Sequence, residues 1–342
     1  MSTLTSASPS PTSHIDAPPG APRWAVALLA GGLCALAWGV AWAPLGVSIV
    51  AVFLCAGPHN WLEVRYFLGR IPGRLGPLAP FTALGVGGVT ALTLTFIAMS
   101  LGARYGDWSA ERLTLVVALW NTALIGWLLT LALWRQRIPP RRDWPWLVPA
   151  ALLLLALNWY APYLVNLSLV FLHPVVALVF LDRELARARS PWLAAYRRAL
   201  WAVPICLGAM AWLQRDASPL VGQDMISMQI QQHVGADLLP GVSPRLLVTW
   251  HAYLELLHYG VWIAAVPAIA VKAAPWQVAQ APLARRSPLM RRLLTAFVLA
   301  GGVLVAALWG GFCVDYGATR DLYFTIAIFH VIAEGPMLLR VL

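Results

Sequence analysis

Five of the seven histidines in this 342-residue chain fall within long apolar stretches, and glutamates stand at helical spacing from three of them. The groups are His59 and Glu63, Glu255 and His258 with His251 one heptad earlier, and His330 and Glu334; His173 stands by itself. Residues three or four apart share a helix face, so each histidine meets its carboxylate. Neutral imidazole ligates iron, copper and zinc, and its second ring nitrogen commonly bonds a carboxylate or carbonyl. These residue types at this spacing point to a metal. His59, His173, His258 and His330 are expected as ligands, with Glu63 and His251 as further candidates. Glu255 and Glu334 are expected as catalytic carboxylates that orient imidazoles or complete the coordination.

Non-haem iron is the expected cofactor. Glu255-Leu-Leu-His258 matches the Glu-x-x-His element of di-iron helix bundles, which use it twice; here it occurs once. Haem b is the alternative, held by two histidines on facing helices, with Gly85, Gly87 and Gly88 making room. Two further classes remain open. Ionisable groups inside a bilayer also serve as proton relays in transporters, and histidines also join helices in structural subunits of larger complexes.

The elements that position these residues are read from composition. Hydrophobic residues make up 60% of the chain and charged residues 11%, against about a quarter charged in soluble proteins. The expectation is an all-α, polytopic transmembrane bundle of about ten helices, at roughly 24–43, 46–68, 77–101, 109–134, 145–163, 165–182, 199–214, 247–271, 290–312 and 320–340. The weakest divisions fall at Ala43 to Gly46 and at Tyr163 to Asn166. Residues 1–23 read as a Ser/Thr/Pro-rich disordered tail and 24–342 as one transmembrane domain.

Arginines crowd the loops after even-numbered spans, for example Arg135, Arg137, Arg141 and Arg142. By the positive-inside rule both termini are cytoplasmic. The net charge of +10 is thus a topological signal and implies no nucleic-acid partner. A bacterial inner membrane is the expected location. Spans 2, 6, 8 and 10 then run inward and carry His59, His173, His258 and His330 about 10–13 residues deep, near the midplane. The outer loop 215–246, with Asp216, Asp224, His233 and Asp237, reads as a connector or a lid. The four cysteines read as small buried hydrophobes.

Pro58-His59-Asn60-Trp61-Leu62-Glu63 resembles the Pro-His-x-x-x-acid signature of the bacteriorhodopsin-related-protein-like family of membrane β-carotene 15,15′-dioxygenases. The resemblance covers this motif and the polytopic architecture. It implies a non-haem iron site containing His59 and a lipophilic polyene substrate. Where that family carries a His-x-x-x-His pair on a later helix, this chain has His251 and His258, seven apart.

Overall fold

The computed structural model describes residues 23–342 apart from 73, 140, 216, 218, 219, 221–223 and 271–277. The expected tail, apart from Arg23, therefore lies outside the described residues, as do His14, Asp216 and Lys272. No strand occurs among the described residues. In chain order the helices are α1 (Arg23–Trp42), α2 (Pro44–Arg70), α3 (Ala79–Tyr105), α4 (Ala110–Arg137), α5 (Leu147–Tyr160), α6 (Pro162–Arg187), α7 (Leu193–Ala199) and α8 (Ala202–Leu213). They continue with α9 (Met225–His233), α10 (Pro244–Gly260), α11 (Val266–Ala270), α12 (Pro288–Val314) and α13 (Tyr316–Val341). A π-helical turn, Val261–Ala265, joins α10 to α11 in one rod. The chain is an integral-membrane helical bundle.

Eight of these elements are long and apolar enough to cross a bilayer: α1, α2, α3, α4, α6, the α10–α11 rod, α12 and α13. The other two expected spans are helical but short. α5 has 14 residues and α8 has 12, or about 21 Å and 18 Å of rise against a hydrocarbon core of ~30 Å. α7 and α8 follow each other with only Leu200 and Trp201 between.

Both divisions exist and each rests on an alanine–proline step, but the second falls at Ala161-Pro162, just before the expected Tyr163 to Asn166, which is helical. Ala43 and Ala161 take non-helical backbone, and Pro44 and Pro162 open the next helix. Proline disfavours helical geometry in the residue before it and suits the first helical turn. Elsewhere side chains cap the starts: Ser109 accepts from the Arg112 amide, Ser287 from Met290 and Asp315 from Ala318.

α10 is the centre of the bundle. Twelve of its seventeen residues are buried, on every side, as expected of a helix enclosed by others. It packs against α1, α2, α6, α8 and α9. α12 lies at the periphery, with only Leu294 and Phe312 buried.

The stretch 215–246 is more than a connector. Its helix α9 docks into the bundle, placing Ile230 and Val234 against Leu247 and Val248. Two of the cysteines, Cys34 and Cys313, are exposed on the bundle surface rather than buried, and Cys34 lies 3.7 Å from Cys206 Sγ to Sγ.

Candidate metal centre

Four helices carry the site, and each departs from regular α-geometry beside it. α2 has Pro58 before His59, α6 has Pro174 after His173, and α13 has Pro336 two residues past Glu334. α10 enters its π turn three residues after His258. A proline inside a helix removes one ladder hydrogen bond, and π turns recur at functional sites.

The four expected histidines come together. Ring centroids lie 5.1 Å apart for His59 and His258, 5.1 Å for His59 and His330, 4.4 Å for His173 and His258, and 4.8 Å for His173 and His330. Two donor groups result, each with its ligand atoms within 4.8 Å of one another. One is His59, Glu63, His258 and His330; the other is His173, His258 and Glu334, so His258 is shared. His59, Glu63 and His258 are 1%, 0% and 1% exposed, which removes solvent as their partner.

Hydrogen bonds aim the rings. His59 Nδ1 lies 3.0 Å from the Cys55 carbonyl, which only accepts, so Nδ1 carries the proton and the Nε2 lone pair is free. His173 Nδ1 pairs with Glu334 Oε2 at 2.9 Å. Its Nε2 faces His330 Nε2 at 3.1 Å, close to the ~3 Å separation of two nitrogens on one ion at ~2.0–2.1 Å. Neither oxygen of Glu63 has a hydrogen-bond partner, and neither ring nitrogen of His258 makes a bond of ordinary geometry. Buried polar atoms are nearly always paired, so these orphaned donors fit a cation.

Glu255 and His251 sit outside both donor groups. Tyr259 Oη donates to Glu255 Oε1 at 2.6 Å, and Glu255 Oε2 is 3.7 Å from His251 Nδ1. His251 faces His233, with ring centroids 5.2 Å apart. Both histidines, Glu255 and Tyr259 line a cavity of about 320 Å³ that reaches His59, His173, His258 and His330. Burial first, then neighbouring His251 and the Arg320 cation, hold the His233 imidazole well below the usual range, so it is neutral.

Two of the three glycines proposed to make room for haem serve other contacts, while a Cβ on Gly87 would meet open space. Gly88 lies against the Trp127 indole, whose Nε1 donates to the Leu84 carbonyl, and Gly85 lies against Pro336.

The sequence reading missed three cavity neighbours. His233 stands in a short, weakly apolar helix. Arg320, near the start of α13, is 3% exposed and stacks over Phe324. Tyr259 follows a ligand candidate directly, which was its one available signal. Among polar residues on α5 and α6, Asn158 joins α4 to α5 through Asn121, Thr122 and the Ala118 carbonyl, while Asn166 lines the cavity.

Comparison with protein-family models, with curated proteins and with solved structures finds no match.

Proposed function

We propose that this chain is a membrane-embedded oxidoreductase with a histidine-ligated non-haem iron centre, acting on a lipophilic substrate. The observation that carries the reading is the pair of donor groups sharing His258, with both Glu63 oxygens lacking any protein partner. Two carboxylates enclosed in apolar surroundings are expensive unless a cation compensates them. His59, His173, His258 and His330 would hold the ion, with Glu63 as a further ligand, and Glu334 would orient His173. Bound there, iron would supply the redox chemistry and an open position for dioxygen. The chain's own part is to aim the Nε2 lone pairs, exclude water and hold a proton between Glu255 and Tyr259 at the cavity wall.

Imidazole centroids only 4.4–6.1 Å apart favour a bare ion over haem, since a macrocycle needs a slot between its axial ligands. The reading agrees with the chemistry implied by the Pro58–Glu63 resemblance. The proposed setting is a bacterial inner membrane with both termini cytoplasmic, on the strength of the basic loops.

Mass-spectrometric metal analysis of protein purified without chelators is the test. Near-stoichiometric iron, lost in His258→Ala with membrane insertion intact, is the expected result. Protein free of any transition metal would end the enzyme reading. The line His233, His251, Glu255 and Tyr259 along the cavity would then favour a proton pathway.

A further inference from the structure

A second cavity, of about 340 Å³, lies on the other side of the site between α2, α12 and α13. α2 lines it with Gly57, Asn60, Trp61, Val64 and Arg65, α12 with residues from Phe297 to Leu308, and α13 with Tyr323 to His330. Phe297, Leu304, Ile326 and Phe329 at its rim are exposed on the outer surface of the bundle, the surface that meets lipid. His330 lines both this groove and the first cavity.

Charge in the groove is one-sided. Arg65, stacked over Trp61, is a permanent cation in a wall whose other polar groups are the neutral side chains of Asn60 and Tyr323 and the His330 imidazole, and no carboxylate is among the described lining residues. Arg65 is five residues from the end of α2 at Arg70, about 8 Å of rise, which is headgroup depth. His59 is six residues further in, about 9 Å. Along α12 the lining runs from Phe297 to Leu308, about 17 Å.

We infer that this groove binds a single-chain amphiphile with an anionic head, a long-chain fatty carboxylate, entering sideways from the bilayer. Arg65 holds the carboxylate and α12 covers the chain. His330 meets the middle of the chain rather than either end. The cavity volume holds one chain, whereas a phospholipid brings two. That this ligand is the substrate rests on the proposed iron centre; that it binds does not.

The test is crosslinking of a photoreactive fatty acid to the purified full-length chain, with labelled peptides mapped by mass spectrometry. It is run on metal-free and iron-loaded protein. Labels are expected on 297–308 and 323–330 in both. Oleate should compete about 10–100-fold better than uncharged oleyl alcohol, the worth of one charge-assisted contact. Arg65→Gln should erase that preference, Arg65→Lys should keep it, and Ala300→Trp should block labelling by filling the groove. Equal competition by oleyl alcohol, or labelling indifferent to Ala300→Trp, would overturn the inference. So would dioleoyl phosphatidylglycerol competing as well as oleate, which would assign the groove to bulk lipid. Labelling that persists in a protein unable to bind iron would instead retain the groove and remove the centre.

Discussion

Glu63 and Glu334 are both carboxylates at the site, yet they stand in different positions. Glu63 has no protein partner, while Glu334 engages His173 at 2.9 Å. Glu334→Gln should therefore lower iron affinity about 10–100-fold, as the loss of an orienting partner does. Glu63→Gln should cost more if its oxygen meets the ion. Equilibrium competition with a chelator ranks the two, and a reversed order would exchange their roles. A third glutamate has a purely structural place. Glu184, near the end of α6, is 2% exposed and accepts from Tyr66, Arg70 and Arg187. Both guanidiniums are partly exposed, so Glu184→Ala should cost about 2–3 kcal/mol, read from thermal unfolding in detergent. A change below about 0.5 kcal/mol would mean water compensates the arginines.

Helices with strong, uninterrupted hydropathy were legible from composition, and three of the four histidine helices from glutamates at helical spacing; His173 on α6 was placed by depth alone. The prolines that mark the site were in view too: Pro58, Pro174 and Pro336 all neighbour a site residue. What escaped was the docking of short elements, because tertiary contacts rather than local pattern decide them. α9 is the example, since nine residues have little helical stability of their own. Its His233 also gives it a pH response. An unfolded histidine takes a proton near pH ~6.5, whereas this one is held well below its usual range. Below ~6.5 the undocked form binds the extra proton, so docking weakens as pH falls. Protection of the amides over 225–233, taken relative to the intrinsic exchange rate at each pH, should fall between about pH 7 and 5, and His233→Phe should flatten the response. Protection factors indifferent to pH would show that α9 docks without sensing this proton. The α3–α4 contact gives a second expectation. A Cβ on Gly88 would meet Trp127 Nε1 at 1.9 Å. Gly88→Leu should cost about 1–3 kcal/mol by overpacking, visible as a lower melting temperature; no change would mean that the indole swings aside.

At the scale of the molecule, the basic loops set a testable orientation. Asp107 and Arg141 lie at opposite ends of α4. Single cysteines there, in a background cleared of the four native ones, should react with an impermeant reagent from opposite faces, position 141 from the cytoplasm. Reaction from one face only would undo the topology.

The bundle also has an order in time. α10 is the least apolar of the eight spans and the most enclosed, so it is the one least able to face lipid unaided. Its neighbours α1, α2, α6 and α8 all precede it in the chain and are already made when it leaves the ribosome. α13, which brings His330 and Glu334, follows all of them. Until it arrives, His59 and His258 face each other across a half-built site. A metal held by the proposed centre would thereby have to await α13, and a chain stopped after Val314 should insert yet stay metal-free.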